Sequence, residues 1–354
     1  MDINYIAPIN SLGYGVAGLN LLKALSKNNE VSYFPLGEPT LDSQADFEIV
    51  KHSIKLASMP NFKAPCVRVW HQHDMSKFVG GGIHAGFPIF ELDTFTDLEK
   101  HHLGGLDSVL VCSEWAKDVV CGNIKNSNTN VVPLGVDRAT FKETPLSKGS
   151  TKFFNCGKWE VRKGHDVLVE AFNKAFTEED DVELWMMCHN PFYTDAENKE
   201  WESLYTSSKL GSKVKIIPRQ KTHRDVYNIM SKVDCGVFPS RAEGWNLELL
   251  EMMSCGRHVI ATDYSAHTEF CNAENSRLIK VSEKEKAFDG KWFKGQGMWA
   301  KLDNNSEEDL INSMKTIHNL KSSSMLNINK EGVKTAIDFS WDNCAEKCVE
   351  AIRT

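Results

Sequence analysis

The sequence predicts an α/β protein built from two Rossmann-like, doubly wound parallel-sheet halves. Three observations predict it. The chain has 354 residues, enough for two domains with large cores. Short apolar runs alternate with helical patterns from end to end, which is the signature of parallel strands with crossover helices. The pattern also restarts after a polar stretch near residue 148.

In the first half, "INYIAPI", "EVSYFPLG", "PCVRVWHQ", "GIHAGFPIFEL" and "DSVLVCS" read as buried strands, because each is a short apolar run bounded by turn residues. "GVAGLNLLKALSK", "FTDLEKHHLG" and "SEWAKDVVCG" read as helices or helix starts. "NTNVVPLGVDRATFKETPLSKGS" reads as a last strand and a linker, so the first domain is placed at 1–148 and the second at 149–335. In the second half, "TKFFNCGK", "VELWMMCHN", "KVKIIPR", "CGVFPS" and "HVIATD" are the strands. "KGHDVLVEAFNKAF", "AENKEWESLYTSSKLG", "HRDVYNIMSKV" and "NLELLEMMSCG" are the helices, the last stopped by Gly256 at a natural C-cap position. "KAFDGKWFKGQGMWAKLD" breaks the regularity and reads as an aromatic, Gly-rich loop insertion at the rim of a cleft or on the surface. "SEEDLINSMKTIHNL" and "WDNCAEKCVEAIRT" are closing helices. Open parallel sheets bind ligands at the carboxyl ends of their strands, so a cleft between the halves is the expected ligand site.

The net charge of −7 argues against a generic nucleic-acid binder. The amino-terminal stretch has no basic region followed by a long apolar run, and no apolar stretch approaches a membrane span. A cytoplasmic protein, at most peripheral to a membrane, is the expectation. Ten scattered cysteines without a C-x-x-C read as reduced core residues. Cys344 and Cys348, four apart, lack further ligands for a metal.

"SLGYGVAG" holds G-x-G-x-x-G as Gly13, Gly15 and Gly18, after a strand and opening a helix. That is the context of a dinucleotide fingerprint, with Glu38 near the place of the ribose acid. A nicotinamide-dependent dehydrogenase is therefore one reading. It leaves the richest stretch, "FPSRAEGWNLELLEMMSCGRHVIATD", unexplained. There Glu243 lies in the loop after a strand and Glu251 on the following helix. Gly244, Trp245 and Asn246 turn the chain into that helix, whose N-terminal N–H groups make an anion site. Carboxylates on either side can accept hydrogen bonds from sugar hydroxyls.

E-x7-E followed by a small residue and Gly resembles the retaining glycosyltransferases of family 4, which have the GT-B fold. The resemblance implies that Glu243 contacts donor-sugar hydroxyls, that Glu251 binds the nucleotide ribose, and that the backbone near Asn246 and Leu247 faces the diphosphate. That family usually has Gly at the position of Asn246 and Pro at that of His258. Upstream, "NCGKWEVRKGHDVLVEAF" is similar to its Gly-Arg and Lys-Gly pairs, here Gly157-Lys158 and Lys163-Gly164. Lys158 and Lys163 are thereby implied to stabilise the leaving diphosphate, and a lysine supplies a point charge without the bidentate fork of arginine. Arg162 stands beside them. His73 in "VRVWHQHD" matches the family histidine near the reacting sugar, with His71 as competitor; Gly15 is the implied close-approach point of the glycine turn. Glu91 and Asp93 stand where they could touch an acceptor or cap a helix. The terminal helix, 336–354, resembles one that packs back on the first domain.

The expected activity is transfer of a sugar from a nucleoside-diphosphate donor to an acceptor hydroxyl, with retention, no metal and no cofactor. The acceptor, whether saccharide, lipid or another hydroxyl, is not readable. The competing readings are the dehydrogenase, a non-catalytic nucleotide-sugar or glycan-binding protein, and an epimerase or phosphorylase on the same scaffold.

Overall fold

A computed structural model describes residues 1–125 and 127–353. The chain divides into two compact units. One comprises Met1–Asp137 with the segment from Asp338 onward, the other Arg138–Ile337. The division precedes residue 148 because the stretch between them bonds into the second unit. Ser254 Oγ donates to the Phe141 carbonyl, and Arg257 Nη2 donates to the carbonyls of Thr144 and Pro145, 3.0 Å each.

In chain order, unit 1 contains β1 (Asp2–Ala7), α1 (Gly13–Leu25), β2 (Glu30–Pro35), α2 (Gln44–Leu56), β3 (Cys66–Val69), β4 (His84–Phe87), α3 (Asp97–Gly104), β5 (Ser108–Val111), α4 (Glu114–Asn123) and β6 (Thr129–Val131). Unit 2 contains β7 (Thr151–Gly157), α5 (His165–Ala175), β8 (Val182–Cys188), α6 (Asp195–Thr206), β9 (Val214–Ile216), α7 (His223–Met230), β10 (Cys235–Phe238), α8 (Leu247–Ser254), β11 (His258–Thr262), β12 (Arg277–Ile279), the hairpin β13 (Lys284–Phe288) and β14 (Lys294–Ala300), α9 (Asn304–Ser322) and α10 (Lys330–Asp338). The last helix, α11 (Trp341–Ala351), belongs to unit 1.

Unit 1 has a parallel sheet of order β2-β1-β3-β4-β5-β6. Its first strand is buried from Ile3 to Ala7, with the polar Asn4 donating from Nδ2 to the Asn61 carbonyl at 3.0 Å, and α1 packs on it closely. Tyr5 Oη donates to the Gly18 carbonyl at 2.9 Å, and a Cβ on Gly18 would lie 2.2 Å from the Pro8 carbonyl oxygen. α11 is tied to the turn after α1 by the Lys27–Asp342 ion pair, and the chain entering α11 is tied to that after β6 by the Val136 N–H, which donates to the Phe339 carbonyl.

Unit 2 has a parallel sheet of order β12-β11-β10-β7-β8-β9 around a core of Phe153, Leu168, Phe172, Leu184, Val237 and Ile260. In each sheet one adjacent pair of strands, β1/β3 in unit 1 and β7/β10 in unit 2, marks the point where the strand order reverses. Above the carboxyl ends at such a point, crossovers leave to opposite faces and open a crevice.

The stretch expected to be a loop insertion is the antiparallel hairpin β13–β14. Its turn is built by Asp289, whose Oδ1 accepts N–H bonds from Lys291, Trp292 and Phe293 at 2.8 Å each, with Gly290 at φ +75°. Asp-Gly between two alternating runs is a hairpin signal. The surrounding Gly and Lys residues masked it.

Candidate active site

The site in unit 2 lies at the reversal point of its sheet. Gly157 ends β7 with φ +147°, and the chain runs through Lys158–Glu160 into a single 3₁₀ turn, Val161–Lys163. Gly164 at φ +71° then starts α5. Only glycine suits that position: the conformation is left-handed, and a Cβ would fall 2.0 Å from the Pro239 carbonyl oxygen. This tight junction brings the β7 loop against the β10 loop.

There the charges meet. Lys163 Nζ lies 2.8 Å from Glu243 Oε1, and Arg162 Nη1 lies 2.8 Å from Glu243 Oε2. Ser240 Oγ also donates to Glu243 Oε1, at 2.7 Å. Arg162 Nη2 holds Glu160 Oε2 at 2.8 Å, and Lys158 Nζ holds Glu160 Oε1 at 2.7 Å. Two buried carboxylates and three cations thus form one chain of ion pairs, with a net positive charge. Burial works against the charge of Glu243, but Lys163 and Arg162 overrule it and hold its carboxyl far below the ordinary range. Burial likewise opposes the Lys163 charge, and Glu243 followed by Glu248 keeps the ammonium protonated. Lys158 is the more exposed cation, at 36 %.

The turn into α8 is held in an unusual way. Asn246 has φ +88°, a region that costs most L-residues roughly 1–2 kcal/mol and that Gly and Asn tolerate best. Its Oδ1 caps the helix by accepting from Leu249 N–H at 3.1 Å. Its Nδ2 donates to His267 Nε2 at 2.9 Å, while His267 Nδ1–H donates to the Thr262 carbonyl at 3.0 Å. These bonds fix the histidine tautomer. Burial pushes the His267 pKa down to about 4, so the ring stays neutral and able to accept. Leu247 and Glu248 follow as first-turn residues, whose N–H groups precede the helix ladder. Glu251, one turn on, is buried at 8 % exposure.

In unit 1 the other expected residues cluster at the reversal point between β1 and β3. The two histidines follow β3 in a turn, not on the strand, and their rings stack at 5.4 Å. His73 is exposed; His71 is half-buried and packs on the Tyr14 ring at 4.6 Å. Tyr14 stands in the glycine run, and its hydroxyl exchanges hydrogen bonds with the backbone of Ile89 at 2.8 Å. Gly15 is buried inside α1, and a Cβ there would lie 2.3 Å from the Asn10 nitrogen. The neighbour that a side chain at Gly15 would strike is thus Asn10, on the chain entering the helix. Packing against Asn10 and Pro8 requires glycine at positions 15 and 18, whereas a Cβ on Gly13 would meet nothing within 4 Å.

The sequence reading did not single out Glu160, Arg241 or His267. Glu160 sits two residues from both Lys158 and Arg162, a spacing that could have suggested a partner. Arg241 forms a two-point pair with Asp166 at 2.8 and 2.9 Å and reaches Glu285 at 3.2 Å, so it ties the loop to α5 and the hairpin. His267, in "YSAHTEF", carries no local signal. Arg162, which stands beside the two lysines in the sequence, is buried and bonded to Glu160, Glu243 and the Ala242 carbonyl. Among the described residues, no three His, Cys, Asp or Glu side chains gather as a metal set.

Two Rossmann-like units with an ion-paired loop set at the head of a central strand define the GT-B type of architecture. Residues 150–290, most of unit 2 with Lys158, Lys163, Glu243 and Glu251, match the profile of the family described as glycosyl transferases group 1. The chain is 27% identical over 164 residues to an uncharacterized glycosyltransferase of Methanocaldococcus jannaschii; the match spans 46% of this chain and 42% of that relative. The match thus covers less than half the length of that curated relative. In fold the chain is similar to a sucrose-phosphate synthase from Thermosynechococcus elongatus (TM-score 0.72, 16% identity, 100% and 98% of the two chains covered). It is similar also to HepE of Anabaena in complex with UDP and glucose (TM-score 0.70, 14% identity, 100% and 99% covered).

Proposed function

We propose that the protein is a glycosyltransferase that moves a sugar from a nucleoside-diphosphate donor to an acceptor hydroxyl, with retention at the anomeric carbon and without a metal. The observation that carries this reading is the Lys163–Glu243 pair at the reversal point of unit 2, inside the segment that matches the glycosyltransferase profile. Departure of a nucleoside diphosphate develops negative charge on phosphate oxygens. Lys163, held rigidly by Glu243, and Lys158, at the exposed end of the ion-pair chain, are preorganised to stabilise it. The start of α8 at Leu247 adds N–H groups and the positive end of the helix dipole. Glu243 orients Lys163 and retains lone pairs for a sugar hydroxyl; Glu251 is assigned the ribose. His73 is assigned a donor-sugar hydroxyl, and a donor phosphate oxygen receives the acceptor proton on the face of attack. The packing of Gly15 against Asn10 supports a role in holding α1 and Tyr14 rather than in touching the donor.

A thermal-shift screen against nucleotide sugars tests the donor half. UDP-glucose, with which HepE of Anabaena was also crystallised, is the first probe. A specific donor raises the melting temperature by mass action, and a flat response to all donors overturns the reading. Lys163→Met should lower the transfer rate by about 10²–10³. Full transfer by a folded Glu243→Gln variant would remove the role given to that carboxylate.

A further inference from the structure

We propose that the β13–β14 hairpin docks the protein on an anionic lipid bilayer. Along β13 the side chains alternate: Glu285 and Ala287 turn inward, while Lys286 and Phe288 face outward. Phe288 pairs across the ladder with Lys294 and Lys286 with Met298, so cations and apolar groups share the outer face. Phe288 is 62 % exposed and Trp292, at the turn, 49 %.

The acids of the hairpin are engaged in its own construction. Glu285 holds Arg241 and accepts from Trp299 Nε1 at 3.1 Å, and Asp289 builds the turn. The outer face is therefore cationic on a chain whose net charge is −7. Lysines surrounding exposed Trp and Phe suit the headgroup level of a bilayer, where the rings enter and the ammonium groups meet phosphate. A long polyanion would have to run on across the rest of an acidic protein, whereas a bilayer needs only this patch.

The finger is also rigidly rooted. The Ala300 N–H donates to the Arg241 carbonyl at 2.9 Å, Lys291 pairs with Glu197 at 2.5 Å, and the Trp292 ring meets Phe192, which lies under Lys158. A docked finger would hold the Lys158 end of the ion-pair chain near the headgroups and thus favour a lipid-borne acceptor. That consequence rests on the proposed function; the docking does not.

Cosedimentation of the full chain with phosphatidylcholine vesicles, with and without phosphatidylglycerol, tests it. Binding should require phosphatidylglycerol and weaken with salt. Neutralising Lys286 and Lys294 together (K286Q/K294Q) should weaken it by about fivefold per lysine, and F288S/W292S should weaken it at unchanged charge. Failure of the wild type to bind, equal binding to pure phosphatidylcholine, or wild-type binding by K286Q/K294Q would overturn the proposal. So would loss of vesicle binding to soluble dextran sulfate with no effect of F288S/W292S, which would mark a polyanion site instead. Thermal shift with UDP-glucose, run in parallel, reads the donor site separately from the finger.

Discussion

At the scale of single residues, the site depends on groups that sequence patterning does not rank. Arg162 is the clearest case. It bonds Glu160, Glu243 and the Ala242 carbonyl, so it is a positioning residue, and its loss removes the one cation that two buried carboxylates share. Arg162→Met should destabilise unit 2 by about 3–5 kcal/mol, the usual cost of breaking a buried ion pair from one side. Urea unfolding would measure it, and a change under 1 kcal/mol (roughly the worth of an exposed pair) would show the network to be solvated. Asn246 gives a second test. Asn246→Ala loses the helix cap and keeps an unfavourable φ, for a cost of about 2–3 kcal/mol. Asn246→Gly relieves the backbone while giving up the cap and the His267 bond, so it should fall within about 1 kcal/mol of the wild type. The ordering of the two variants, rather than either value, checks the account.

At the scale of elements, the glycines opening α1 show what spacing can and cannot say. Gly15 and Gly18 are dictated by Asn10 and Pro8, both on the chain entering the helix, while Gly13 meets no neighbour. Gly18→Ala should therefore destabilise unit 1 by about 1–3 kcal/mol, as overpacking does, while UDP-glucose binding by the folded fraction stays intact. A variant of undiminished stability that loses donor binding would instead return these glycines to the ligand. The same elements explain how much of the molecule was legible. β5 and β10 are short runs buried on both faces, and β1 and β7 are mostly buried and mainly apolar, so they stand out in the sequence. α2 did not stand out, because it buries only Val50 and Ser53 and leaves Phe47 and Ile54 exposed, which blurs its period. The hairpin was hidden for a related reason: its outward positions carry Phe288 and its inward ones Glu285, against the usual alternation. Glu243, Lys158 and Lys163 were legible as charged residues in a spaced motif. Their pairing with Glu160 and Arg162 was not, because it exists only once β7 and β10 lie side by side.

At the scale of the whole molecule, the buried ionisable groups concentrate in unit 2, and this sets how the protein responds to acid. Burial pushes His165 and His267 down to about 4 from an ordinary 6.5. In the unfolded chain both take up protons as the pH falls through about 6.5; in the folded protein they resist until about 4. The unfolded state thus binds more protons across that window, and stability must fall with pH, by up to about 1.4 kcal/mol per pH unit for each histidine. Carboxylates extend the loss. Burial opposes the charge of Glu243, Glu160 and Asp166, yet the adjoining Lys and Arg side chains hold all three below their ordinary values, so the stability they contribute is present above about pH 4.5 and drains away below it. Urea midpoints at a series of pH values should therefore decline from about pH 6.5 downward, well before ordinary carboxylates titrate. His267→Gln, which keeps a side chain able to accept from Asn246 and cannot titrate, should flatten the slope between about pH 6.5 and 4 by roughly one proton. A midpoint that stays level down to about pH 5 in the wild type would mean that the two rings are solvated, and with them the turn that presents the start of α8.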